Sequence, residues 1–203
     1  MQKVGSYISV TEEALDDQTL FQSWLPGEVA RCVALSKNAD LYALTNAVAG
    51  TDLATRATFT DAEILACYYG LPQQYRQKAV WLMNDASLAD LRALLIATPR
   101  AYGDIGFNYL SMGEKGEQFM GKPVYCNANW EDVDGADAAD KVIDFIDMDN
   151  AIFWAERKAM SIFVDPYSTR IASGSINFLP MARYGGVVKN SAAISGIDGK
   201  DAG

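Results

Sequence analysis

A mixed fold of helices and sheet, of the α+β class, is what this sequence predicts, and three features carry that reading. Apolar residues recur every three or four positions from Thr19 to about Thr45, the spacing of one helix face. Between Thr60 and Pro99 the pattern reads helix, strand, helix, which is a layered unit. The last third carries a compact strand-like segment, Val142-Ile143-Asp144-Phe145-Ile146-Asp147, followed by the run Arg157 to Tyr167.

Taken in order, Tyr7-Ile8-Ser9-Val10 looks like the end of a strand, and Thr11-Glu12-Glu13 like a polar turn into a helix. The helical stripe then runs through Phe21, Trp24, Leu25, Val29, Cys32, Ser36, Ala39 and Ala43. Pro26-Gly27 interrupts it, because proline removes a backbone donor and crowds the preceding turn. A kink or break is expected there, with the better helix from Glu28 to Leu44 and Gly50 closing the element. Thr60-Asp61-Ala62-Glu63 is a capping box, and its helix should stop at Gly70, with Pro72 just beyond. Ala79 to Met83 is a short apolar run, read as a buried strand. Ser87-Leu88-Ala89-Asp90 caps the next helix, which carries Leu88, Leu91, Leu94 and Leu95 and ends before Pro99. Residues 100–119, rich in glycine and polar groups, read as loop.

Composition narrows the function. With 203 residues, half of them apolar and 21% charged, the chain can bury one sizeable core or two small subdomains sharing strands. No apolar run reaches the roughly 18 residues of a membrane helix, and Met1-Gln2-Lys3-Val4-Gly5-Ser6 lacks the apolar core of a signal peptide. A cytosolic protein is expected. The net charge is −9 and the basic residues are scattered, so the clustered footprint of a nucleic-acid binder is missing. Histidine is absent, which removes the commonest general base, the Ser-His and Cys-His pairs and the commonest zinc ligand. Cys32, Cys67 and Cys126 are far apart and form no C-x-x-C pair, so they read as buried free thiols. No catalytic, cofactor-binding or metal-ligating residues are assigned.

Motif-like features are set aside on their context. Gly116 to Lys122 spells the start of a phosphate-binding loop, but Pro123 stands where Ser or Thr must hold magnesium. A turn leading into a strand accounts for it better. The acidic stretch Glu131 to Asp149 fails as a calcium loop: counted from Asp132, the sixth position is Asp137 and the twelfth is Ile143. A solvated loop is the expectation. Trp24, Trp81, Trp130 and Trp154 read as core or interface anchors, with Trp24 and Tyr42 packing internally.

Four phrases in order carry a resemblance. Val10-Thr11-Glu12-Glu13-Ala14-Leu15-Asp16-Asp17 precedes the long helix, and Leu71-Pro72-Gln73-Gln74-Tyr75-Arg76-Gln77-Lys78-Ala79-Val80-Trp81-Leu82-Met83-Asn84 spans a turn and a strand. Met120-Gly121-Lys122-Pro123-Val124-Tyr125 and the ending Ala182-Arg183-Tyr184-Gly185-Gly186-Val187-Val188 follow. The chain thereby resembles tailed-bacteriophage and prophage major capsid proteins over nearly its whole length. It departs from their pattern in having Ile146-Asp147-Met148 for "G-D-F". It also begins at what would be the returning strand of the family's extended loop, so the N-terminal arm and most of that loop have no counterpart.

The resemblance implies a two-lobed fold. A peripheral domain (1–55 and 151–188) would hold the long spine helix and long antiparallel strands, and an axial α/β domain (56–150 and 189–203) would be inserted. It implies a structural subunit and not an enzyme: self-association into pentamers and hexamers of an icosahedral shell that encloses DNA without sequence-specific binding. Scaffold, protease and portal proteins would be its other partners, with no membrane and no cofactor. It would reside in the virion capsid, and in the bacterial cytoplasm before assembly. An acidic wall suits a container of DNA. Arg157, Tyr167, Arg170, Arg183 and Tyr184 are the expected inter-subunit contacts, the arginines because guanidinium pairs well with interface carboxylates. An encapsulin-type nanocompartment shell is the nearest alternative, and a small carboxylate-dependent enzyme or binding protein the next.

Overall fold

A computed structural model of the chain describes residues 2–5, 7–11, 18–56, 58–97, 110–113, 116–138, 140–165 and 174–200. In chain order the strands are β1 (Gln2–Gly5), β2 (Ile8–Thr11), β3 (Thr51–Asp52), β4 (Val80–Met83), β5 (Leu110–Gly113), β6 (Gly116–Phe119), β7 (Lys122–Cys126), β8 (Lys141–Ile146), β9 (Ile152–Asp165), β10 (Ser175–Val188) and β11 (Ile194–Asp198). The helices are α1 (Gln18–Asn46), α2 (Asp61–Gly70), α3 (Gln73–Arg76), α4 (Asp85–Ala97) and α5 (Met148–Ala151). Two compact units result, one of Met1–Asp40 with Trp154–Val187 and one of Leu41–Phe153 with Val188–Gly203. The sequence reading drew its divisions at 55, 150 and 188.

In the first unit β10 is the central strand. It pairs antiparallel with β1 (Gln2 opposite Tyr184, Gly5 opposite Met181) and with β2 (Ser175 opposite Thr11, Phe178 opposite Ile8), and β9 also pairs with it. The α1 helix passes through Pro26 without the break that was one of the two outcomes expected there. Packing explains this. Leu25 and Val29, one turn apart and flanking Pro26-Gly27, are both buried against Phe178, with Ile8, Val10 and Ile176 packed around them. Pro26 itself is exposed, so its ring does not crowd the packed face.

The second unit is a seven-stranded sheet in the order β3-β11-β8-β4-β7-β6-β5. Every residue of β8 is buried. That is why its sequence reads as a near-continuous run rather than an alternation. Trp81 on β4 stacks on Phe145 of β8 at 4.3 Å between ring centroids, and its indole N–H donates to the Phe119 carbonyl at 3.0 Å. The predicted capping box is present: Thr60 Oγ1 accepts from the Glu63 amide, and Glu63 Oε2 accepts from the Thr60 amide at 2.7 Å. The next helix starts before Ser87, because Asn84 Oδ1 takes the Ala86 amide at 3.1 Å and so caps it. Ser87 is buried in the first turn.

Residues 110–113 and 116–119 are strands, not loop. Their own pattern is weak, and they are held by pairing: β5 runs antiparallel to β6, and β6 to β7 through a two-residue turn at Met120-Gly121. Both turn residues have positive φ, 52° and 72°, the backbone of the tight turn that suits a twisted hairpin. The acidic stretch is likewise not all solvated. Val133, Ala136, Asp144 and Asp147 are buried.

Candidate assembly surfaces

Among the described residues no group of acidic, cysteine or histidine side chains is placed to hold a metal ion, and no helix is long and apolar enough to cross a membrane. The three cysteines are free, but only Cys67 is buried; Cys32 is half-buried and Cys126 exposed, which corrects the expectation of three buried thiols. Burial pushes the Cys67 thiol up to about 12, so it is protonated and unreactive as a nucleophile. Partial burial, with the charge of Asp85 beside it, also raises Cys126.

The sequence-predicted contact residues separate on inspection. Arg157 on β9 and Arg183 on β10 are exposed. Glu156, the neighbour of Arg157, forms an ion pair with Lys37 of α1, and side chains alternate along a strand, so Arg157 points away from that pair. Tyr167 and Arg170 lie outside the described residues. Tyr184 is turned inward, 1% exposed, which leaves it almost no surface for a neighbour. Its hydroxyl donates to Ser36 Oγ at 3.0 Å, the Lys37 ammonium lies 5.4 Å from its ring centroid, and Trp154 packs at 6.0 Å. Burial accordingly raises its phenol. Tyr184 is a pin between α1 and β10 inside the first unit.

The tryptophans divide the same way. Trp81 and Trp130 are buried, but Trp24, expected to pack internally, is 53% exposed. Tyr42 does pack inward, edge-on to Trp130 at 5.5 Å. The first unit also exposes Tyr7, Leu35, Val187 and the run Ile162-Phe163-Val164. The second exposes Leu65 and Tyr69, one turn apart on α2, with Tyr125 and Phe153. The Arg76 guanidinium is fixed over the Tyr69 ring at 4.8 Å and donates to the Leu71 carbonyl at 2.9 Å, giving this patch a rigid cationic border. Sequence reasoning missed these apolar residues, since identity alone does not tell an exposed leucine or tyrosine from a buried one. Large apolar side chains left in water on both units are what a protein that buries surface against other chains requires.

Comparison with known proteins agrees. A model of the Phage capsid family matches residues 1–199. The chain is similar to the capsid protein of a native GTA particle, with 20% identity and a TM-score of 0.74, over 98% of this chain and 73% of that one. It is also similar to a chain of Gordonia phage Cozz, with 13% identity and a TM-score of 0.63, over 99% and 70%. A third likeness is to the SrpI encapsulin complex of Synechococcus elongatus, with 13% identity and a TM-score of 0.65, over 98% and 74%. No curated protein sequence matches it. With a family match over almost every residue, a fold shared with solved capsids and apolar surface left open on both units, the chain belongs to the phage capsid family: it is a structural protein that assembles with its own copies into a capsid shell, not an enzyme.

Proposed function

We propose that this subunit closes into pentamers and hexamers of an icosahedral shell around DNA. The observation that carries this reading is the family match across residues 1–199. The first unit serves as the peripheral domain and the second as the axial domain, close to the 1–55 with 151–188 and 56–150 with 189–203 division read from sequence. The net charge of −9 suits a wall that encloses a polyanion without binding it. Scaffold, protease and portal proteins are the partners such a shell requires during construction, which takes place in the bacterial cytoplasm. The encapsulin likeness supports the same fold with a different cargo, and the phage family match favours the phage reading.

Arg157, Tyr167, Arg170 and Arg183 remain the polar contacts we assign between subunits. Trp24, Tyr69, Tyr125 and Phe153 join them as apolar anchors, because they are large and exposed in the isolated chain. Electron microscopy of the purified full chain tests the function directly. Shells or capsomer-sized rings are expected; monomers alone at every salt and pH tried would refute it. Charge reversal at the two exposed arginines, Arg157→Glu with Arg183→Glu, should deplete the large particles and leave the thermal midpoint of the subunit unchanged. Undiminished particles would remove these arginines from the interface.

A further inference from the structure

The second unit holds a buried charge cluster. Lys141 on β8 is 1% exposed, Asp144 on the same strand is 0% exposed, and Asp198 on β11 is nearly buried. A register shift between Ile197 and Asp198 sets Lys141 opposite Asp198. The Lys141 ammonium donates to Asp198 Oδ1, while Asp198 Oδ2 accepts the Gly50 amide at 2.7 Å. The Asp198 carbonyl takes the Leu53 amide at 3.0 Å, and β3 pairs parallel with β11. Lysine and aspartate together therefore clamp the segment that leaves α1, Gly50 to Leu53, onto β11.

Asp144 lies near the same ammonium without pairing with it. Its Oδ2 accepts the Trp130 indole N–H at 2.9 Å, but its Oδ1, fully buried, has no hydrogen-bond partner. A Cβ placed on Gly196 would lie 2.6 Å from that oxygen and 3.0 Å from Lys141 Nζ. One on Gly50 would lie 2.5 Å from Nζ and 2.7 Å from Asp198 Oδ1. Only glycine at both places leaves room for the ammonium and the two carboxylates around it.

We propose that Asp144 is a proton-gated rival of Asp198 for Lys141. Protonated, it leaves the ammonium to Asp198 and the clamp is closed; ionised, it puts a second buried negative charge beside the ammonium and loosens the hold on Gly50 to Leu53. Hydrogen-bond accounting favours a protonated Asp144 in the closed state. Thr45, which faces it, has one hydroxyl proton, and that proton goes to the Tyr42 carbonyl at 3.1 Å. Burial raises Asp144 to about 6, against the opposing pull of Lys141 and Trp130. The other titratable groups facing it are Asp198, Cys67 and Tyr42; burial keeps the Cys67 thiol and the Tyr42 phenol neutral across the acid range.

The sign follows from linkage. A carboxyl raised from its ordinary value of about 4 to about 6 gives stability that is complete below about pH 4 and lost as pH rises toward 6. Hydrogen exchange on the full chain tests this. Wild-type protection at the Gly50 and Leu53 amides should fall by up to roughly tenfold per pH unit across that window. Asp144→Asn, which keeps an acceptor for Trp130, should hold the acid-side protection throughout, and near pH 7 it should melt above the wild type. An Asp144→Asn protein less protected than wild type near pH 7 would overturn the proposal, since the ionised group would then be a stabilising partner of Lys141. A wild type flat across the window would overturn it too. If Asp144→Asn does not fold, the carbon-13 carboxyl shift of Asp144 in the wild type decides: a midpoint near pH 6 supports the gate, and one below about pH 4 refutes it.

Discussion

Glu63 has both carboxylate oxygens engaged: Oε2 accepts the Thr60 amide at 2.7 Å and Oε1 the Ala54 amide at 2.6 Å. The first partner was legible in the sequence, because a capping box has a fixed spacing. The second was not, because nothing local ties residue 54 to residue 63. Removing the carboxylate with Glu63→Ala orphans two amide donors at a buried site and should cost about 2–3 kcal/mol in urea unfolding. The cysteines give a second residue-scale test. With Cys67 buried and its thiol near 12, a thiol reagent at mildly alkaline pH should label Cys126 in the folded chain and Cys67 only after denaturation. The cluster of Lys141, Asp144 and Asp198 was invisible from sequence, since a register shift between two strands far apart in the chain creates it.

Helices and turns were legible where the signal is local and misread where packing overrides it. The helix of α1 was legible, although Trp24, Ala39 and Ala43 of its expected apolar stripe are exposed. Of the kink or break expected at Pro26-Gly27 the break does not occur, because burial of Leu25 and Val29 outweighs the local penalty. Space is open where a Gly27 Cβ would project, so Gly27→Ala should stabilise the chain by about 0.5–1 kcal/mol in the same unfolding assay. The β6–β7 turn behaves oppositely. Gly121 has φ of 72°, and although a methyl there meets nothing, Gly121→Ala should cost about 1–2 kcal/mol through backbone strain alone. Residues 100–119 read as loop for a related reason: β5 and β6 are strands by virtue of their partners, and the sequence of a strand does not spell its partner.

For the whole molecule, three of the four phrases that marked the family reach β4, β7 and β10, elements whose pairing builds the two sheets, while residues 12–17 of the first phrase lie outside the described residues. Fold and family were therefore readable. The surface was not: Tyr184 and Trp24 exchanged the places expected of them, because an interface residue and a core residue carry the same apolar chemistry and differ only in which chain covers them. That difference is itself measurable. In assembled particles, Tyr69 and Tyr125 should gain protection from surface oxidation footprinting relative to the free subunit, while buried Tyr184 should be silent in both states.

The position of β11 has a consequence for synthesis. Ile194–Asp198 is the last strand described, yet it lies between β3 and β8, strands translated long before it. While the ribosome is still extending the chain, β8 has β4 on one side and an open edge on the other. A polypeptide lacking Ile194–Asp198 would keep that gap and could not seal its sheet.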